Sequence, residues 1–334
     1  MKPSLALALA IGAGLLAGAC GQGPAAQSKA TPVVGIVQLA PIPAMDEARA
    51  GLVKRLEEEG FKDGAGVKID YQNCQGELPA CTQIVQRFVD THVDVIVPIG
   101  TPPGQAAMKA TEGSGHPTIA FTMILNPYNS GLATSPTDKP AHVTGVTSLP
   151  PLDEGARLVR EVLPGAKRLG VIWDTSSPQS EYMVGEFRKA AAGQGFEVLE
   201  APVTKTDEVL TAAETLARRG IDAYYQPNDT TVASAYGSVV KVAIEQHIPF
   251  FGSDTAGVEK GIAGAVGVSY GDLGRQGGSL VAKILRGTPA SSLPIENPSG
   301  SYVAVNLKAA ELEGVTLPES VVNRAKDKLT ELKS

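Results

Sequence analysis

Short runs of β-branched apolar residues alternate along this chain with stretches whose apolar positions recur every three or four residues. Val33-Val34-Gly35-Ile36-Val37 reads as a strand, and residues 46–59 follow with apolar positions 48, 52, 53 and 56, a helical spacing. The pattern repeats as strand 67–71, helix 82–91 with apolar residues 84, 85, 88 and 89, strand 93–97, a helix beginning at Thr101-Pro102, and strand 118–121. Thr101 suits the N-cap. Pro102 suits the first helical position, where a missing N–H costs nothing. Strands alternating with helices predict a mostly parallel sheet covered on both faces.

After Ser148-Leu149-Pro150-Pro151 the alternation restarts. Helices are predicted over 152–163, 180–194, 207–219, 232–246 and 271–285. Strands are predicted at 168–173, 196–201, 223–226, 249–252, 264–268 and 302–306, followed by a helical tail. Two consecutive doubly wound halves make an α/β protein of two parallel-sheet lobes with a cleft between them. The carboxyl ends of parallel strands face such a cleft.

The N-terminus follows another pattern. Lys2 precedes an apolar run at 5–16, then Ala17-Gly18-Ala19-Cys20. The run is too short, and too soon followed by Gly21-Gln22-Gly23-Pro24, to span a membrane, so residues 1–19 read as an export signal. A cysteine directly after small residues resembles a bacterial lipobox, in which the thiol of Cys20 is acylated and becomes the mature N-terminus. Ala17 departs from the larger aliphatic residue usual there, and an ordinary secretory signal is the alternative. Residues 20–31 read as a flexible tether.

Composition narrows the function. Apolar residues make up 43%, typical of a soluble globular protein. Loss of the signal removes Lys2 and no acid, taking the formal net charge from −6 to −7. A mildly acidic chain without a basic stripe is a poor nucleic-acid binder. With Cys20 acylated, Cys74 and Cys81 remain, and an even count in an oxidising compartment favours a disulfide over two unpaired small hydrophobes. His92, His116, His142 and His247 are isolated and lack metal-ligand spacing. There is no G-x-x-x-x-G-K-[ST] loop. No catalytic residue, metal or cofactor is expected.

Several segments share an order and spacing with one family. They are Tyr71-Gln72-Asn73-Cys74-Gln75-Gly76-Glu77, Val97-Pro98-Ile99-Gly100-Thr101-Pro102, Val143-Thr144-Gly145-Val146, Leu163-Pro164-Gly165-Ala166, Asn228-Asp229-Thr230-Thr231, Ser253-Asp254-Thr255 and Tyr270-Gly271-Asp272-Leu273-Gly274-Arg275-Gln276. Together, over about residues 33–325, they resemble the substrate-binding proteins of ABC transporters that include tryptophan and aromatic amino-acid binders. The resemblance implies a type I periplasmic-binding fold, with lobe one at 32–145 plus 255–290 and lobe two at 146–254 plus 291–334. It implies a protein that delivers a small organic ligand to a membrane permease, and with the lipobox reading of Cys20 the expectation is a monomer, periplasmic or otherwise extracytoplasmic, lipid-anchored to a membrane. A ligand-sensing receptor of the same fold and an exported enzyme are the alternatives. A cytoplasmic repressor of this fold is disfavoured by the signal and by the lack of a DNA-binding headpiece.

The strand-end rule and the resemblance select the same loops. Candidate ligand contacts are Gln38, Asn73, Gln75, Thr101, Thr122 and Asn126 from lobe one, and Ser176, Ser177, Asn228, Asp229, Thr230 and Asp254 from lobe two. Capping or turn roles stand as alternatives for Thr101, Asn73, Gln75, Asp229 and Asp254. Tyr128, Trp173, Tyr182, Tyr225 and Tyr236 are candidates for an aromatic wall, or for the core. Three positions depart from the family pattern: Pro103 replaces Ser or Thr, Asn126 replaces Asp, and Ala256 replaces an acid. These departures predict a site poorly suited to a free α-amino acid.

Overall fold

The structure, a computed structural model, describes residues 31–332. The signal segment, Cys20 and the tether through residue 30 lie outside the described residues. In chain order the first half holds β1 (Val33–Gln38), α1 (Pro43–Glu58), β2 (Lys68–Asn73), α2 (Leu78–Asp90), β3 (Val95–Ile99), α3 (Thr101–Ala110), β4 (Thr118–Ile124) and β5 (Val143–Thr147). The second holds α4 (Leu152–Val162), β6 (Arg168–Asp174), α5 (Pro178–Gly193), β7 (Glu197–Val203), α6 (Val209–Arg218), β8 (Ala223–Gln226), α7 (Thr230–Ala233), α8 (Tyr236–Gln246), β9 (Phe250–Gly252) and β10 (Gly264–Val268). The last stretch is α9 (Tyr270–Leu285), β11 (Ile295–Glu296), β12 (Ser301–Asn306), α10 (Leu307–Leu312), α11 (Glu319–Arg324) and β13 (Asp327–Leu329).

Among the described residues one sheet has the order β11-β5-β4-β3-β1-β2 and the other β13-β12-β10-β9-β8-β6-β7. Every pairing is parallel except β10 with β12. The predicted α/β class with two doubly wound sheets is what forms. Strand β3, Val-Ile-Val-Pro-Ile, is buried at every position, as a continuous apolar run flanked by helices on both faces must be. Edge strand β2 is more polar and more exposed.

The chain passes between the sheets after β5, after β10 and after β11. These passages divide the segments at other points than the expected boundaries. Gly264 pairs with Phe251, so residues 255–268 stay with the second sheet, where they cover an edge of β9. Ile295 and Glu296 pair with Gly145 and Val146, so 291–296 belong to the first. Helix α9 returns to lobe one and packs on α1 at very short range. A Cβ on Gly274 would fall 1.8 Å from the carbonyl oxygen of Ala48, and one on Gly51 would overlap the carbonyl of Gly271.

Two predicted elements change form. The helix expected over 232–246 is broken between α7 and α8, where Ala235 leaves helical geometry (φ −120°, ψ 22°). The helical tail ends in a strand, since β13 pairs with β12. Strand β11 is only two residues long, too short for a periodicity to declare itself.

Candidate functional site: a cavity between the lobes

A cavity of about 390 Å³ lies where the lobes and passages meet. Helix α1 contributes Pro43, Ala44 and Glu47, and the passages contribute Ser148, Pro150, Val268 and Tyr270. Lobe two contributes Asn228, Ser253, Asp254, Thr255, Ala256, Gly267 and Tyr302. The volume suits a small organic molecule. Its wall carries two carboxylates, Glu47 and Asp254, and no Lys, Arg or His. Burial, then the charge of Asp254, then Tyr302 and Glu47, push the Tyr270 hydroxyl above its ordinary pKa. The Tyr302 hydroxyl pairs with Thr255 Oγ1 at 2.7 Å.

Of the twelve predicted contacts, Asn228 and Asp254 line this cavity. Asn228 has φ 51°, the left-handed conformation that Asn tolerates better than most residues. Asp254 caps the 3₁₀ turn Thr255–Lys260, its Oδ1 accepting the Ala256 N–H at 3.0 Å. Among the described residues its other oxygen has no hydrogen bond. Asp229 lies next to Asn228 but is buried, and both of its oxygens accept backbone N–H groups, from Asp174 at 2.8 Å and Val232 at 3.0 Å. Thr230 is the exposed first residue of α7.

The other predicted residues have structural work near the strand ends. Gln38 is fully buried, donating to the Ala40 carbonyl and to Asp46 and accepting from Arg49. Asn73 accepts the Gln75 N–H at 2.8 Å, closing a turn in which Gln75 takes φ 56°. Asn126 Oδ1 accepts the N–H groups of Tyr128 and Asn129. Ser177 caps α5, and Ser176 donates to Asp174. The Ser176 and Thr231 hydroxyls hold the Asp174 carboxyl below the usual carboxylate range. Thr122 corrects an expectation: it is fully buried, and its Oγ1, without a hydrogen-bond partner among the described residues, lies 2.6 Å from where a Cβ on Gly277 of α9 would stand. It faces the helix layer and not the cleft.

Thr101 is the first helical residue of α3, while Gly100, at φ 104°, is its cap. Pro102 and Pro103 have no N–H, and the Gly104 N–H returns to the Gly100 carbonyl at 3.3 Å. Of its backbone amides the first turn of α3 thus offers an anion only that of Thr101, beside the Thr101 hydroxyl. Prolines also occupy the first turns of α1, α2 and α5.

Among the aromatic candidates, Tyr225 stacks on Phe187 with ring centroids 3.9 Å apart, and Tyr236 packs edge-on against Phe250, both within the core. Trp173 donates from its ring to Glu200 at 3.0 Å. Half-buried Tyr182 has its pKa pushed up to about 12 by burial, Glu186 and Tyr128. The aromatic residues on the cavity wall are Tyr270 and Tyr302, neither of which the sequence reading selected. Tyr270 lies two residues past the end of β10, so the strand-end rule reaches it. Tyr302 was hidden because it begins a strand, and β12 runs antiparallel to β10, which brings that beginning to the cleft, opposite Gly267.

Cys74 and Cys81 form a disulfide with Cα atoms 5.0 Å apart. It closes the loop after β2, whose Gly76 N–H donates to the Leu39 carbonyl at 2.8 Å. Among the described residues no group of three or more His, Cys, Asp or Glu side chains is placed to hold a metal ion.

Known proteins share this architecture. The family model for the ABC transporter substrate binding protein matches residues 33–329. A tyrosine-binding protein of Clostridioides difficile is 33% identical over 289 residues, which is 86% of this chain and 83% of that protein. The ligand-free, open structure of a Clostridium difficile substrate binding protein with adhesive properties superposes with a TM-score of 0.80 at 32% identity, over 90% of this chain and 100% of that one. An ABC domain from Streptococcus pneumonia in complex with L-Trp superposes with a TM-score of 0.65 at 29% identity, over 90% of this chain and 100% of that one. The two lobes, the three passages and the cavity between them are therefore those of a type I periplasmic-binding fold, and the chain belongs to the family of ABC transporter substrate-binding proteins.

Proposed function

We propose that this substrate-binding protein serves an ABC importer and captures a small, amine-bearing ligand in the cavity between its lobes. The observation that carries the ligand class is the charge of the wall, with Glu47 from one lobe, Asp254 from the other and no basic side chain. Lobe closure excludes water, and a ligand ammonium then interacts more strongly with both acids. An α-carboxylate has less to meet, since this wall offers it no basic side chain. The tyrosine-binding relative and the L-Trp complex make aromatic amines and amino acids the first ligands to try. The higher TM-score with the open, ligand-free relative supports reading this as the open form.

Thermal scans with tyrosine, tryptophan, tyramine and 4-hydroxyphenylacetate test the ligand class. A ligand at a hundredfold excess over its dissociation constant adds about 2.7 kcal/mol, an obvious shift. Tyramine, which keeps the ammonium and lacks the carboxylate, should shift the melting temperature at least as far as tyrosine. A shift with 4-hydroxyphenylacetate alone would refute the cationic reading.

Acylation of Cys20 would hold the protein at the outer face of a membrane, beside its permease. In that case Cys20→Ala releases the protein to the soluble extracytoplasmic fraction. Continued membrane association of the variant would count against the lipid anchor.

A further inference from the structure

One side chain makes four hydrogen bonds to the end of β11 and the passage after it. Gln276 of α9 donates from Nε2 to the Glu296 carboxylate at 2.6 Å and to the Asn297 carbonyl at 3.1 Å. Its Oε1 accepts the N–H of Ser299 at 2.9 Å and the Ser299 hydroxyl at 3.0 Å. Both amide hydrogens and both lone pairs of the oxygen are thus used. The other passages join the same segment. The Thr147 hydroxyl donates to Asn297 Oδ1 at 2.8 Å, and the Ser269 N–H donates to the Gly300 carbonyl at 3.1 Å. Gly300 lies against α9 so closely that a Cβ there would fall 2.5 Å from Cβ of Asp272. Gln276 itself is not part of the cavity wall.

We infer that Gln276 is a positioning residue that sets ligand affinity from outside the cavity, by holding the third passage in its open-lobe geometry. The inference rests on the reading that this structure is the open form. Lobe closure is a rotation absorbed by a few residues between the lobes, and the four bonds span Glu296 to Ser299, where the chain makes its last passage. The helix that carries Gln276 cannot follow such a rotation independently, because its glycines seat it on the backbone of α1. Closing therefore strains or breaks the clamp. Interactions made only in the open form lower the closed fraction, and apparent affinity falls with that fraction.

The test compares wild type with Gln276→Leu, which keeps bulk and loses all four bonds, and with Ser299→Ala, which loses one. Single-molecule energy transfer between dyes on exposed positions of the two lobes counts closed molecules without ligand, and calorimetry measures tyramine and tyrosine binding. Gln276→Leu should raise the closed fraction roughly fivefold and tighten binding by a similar factor, since one net hydrogen bond is worth about that much. Ser299→Ala should move both in the same direction by less. A purely structural role would lower the melting temperature of both variants with closed fraction and affinity unchanged, and that overturns the inference. So does weaker binding, which would place the clamp in the closed form. Should Gln276→Leu not fold, an unchanged closed fraction in Ser299→Ala is decisive against it. The ligand-free measurement judges the clamp even if neither amine binds, so the failure of the ligand assignment is told apart from the failure of this one.

Discussion

The Asp229 carboxylate accepts the backbone N–H of Asp174 at 2.8 Å, tying the end of β8 to the end of β6 beside the cleft. Its other oxygen accepts the Val232 N–H and starts α7, and the side chain is almost wholly buried. An acid that a sequence reading offers to a ligand is thus committed to two backbone donors. Asp229→Ala leaves both donors buried and unpaired, and should lower stability by about 2–4 kcal/mol. Asp229→Asn, which keeps an acceptor, should lose roughly half of that. If Asp229→Ala melts like wild type in a thermal scan, the carboxylate is free for a ligand after all.

Gly274 decides how closely α9 approaches α1. An added methyl there meets the Ala48 carbonyl oxygen at 1.8 Å, a backbone atom that cannot swing aside. Gly274→Ala should cost about 3 kcal/mol or leave the chain unfolded. Gly271→Ala adds a methyl where nothing lies within 4 Å, and should be neutral or slightly stabilising. Equal denaturant midpoints for the two variants would contradict the close contact.

Glu313 is fully buried, accepts one bond from the Phe250 N–H at 2.8 Å, and its other oxygen has no partner. Burial raises its pKa well above the ordinary value, although the Phe250 bond opposes the shift. A carboxyl raised on folding keeps its proton in the native state and loses it in the unfolded chain above about pH 4.3. Its contribution is therefore complete below that pH, and declines as the pH rises toward the folded value. Glu313→Gln cannot ionise, so its stability relative to wild type should improve from pH 4.5 to pH 8 in urea titrations. Parallel pH profiles for the two proteins would mean that Glu313 is already ionised when folded.

The Cys74–Cys81 bridge closes a short loop, worth about 2 kcal/mol in chain entropy. Neither sulfur should titrate in denatured, unreduced protein. Reduction should lower the melting temperature and leave tyramine binding little changed, because the bridged loop is not part of the cavity wall. A large loss of affinity on reduction would bring that loop into the site.

Patterning alone disclosed most of the fold. The strand at 33–37 and the helix at 152–163 were legible because their apolar residues keep the period of the element that buries them. The site was legible only as far as a loop's position implies its use. Asn228 and Asp254 fit that rule. Gln38, Asn126 and Asp229 also sit at strand ends, yet their polar groups serve the backbone around them. Strand ends expose carbonyls and N–H groups that need partners, and the same residue types that could meet a ligand meet those first.

The sequence by itself determined the two parallel sheets, the alternation of strand and helix, the pairing of two cysteines and the family, all of which depend on local periodicity and on the order of short segments. Tertiary structure decided where the chain passes between lobes, which strand ends meet across the cleft, and that Glu47, Tyr270 and Tyr302 share a cavity with Asp254. Those relations join residues far apart in the chain. They depend on strand direction, as in antiparallel β12 delivering Tyr302, and on glycines that let α9 touch α1, and neither leaves a periodic trace in the sequence.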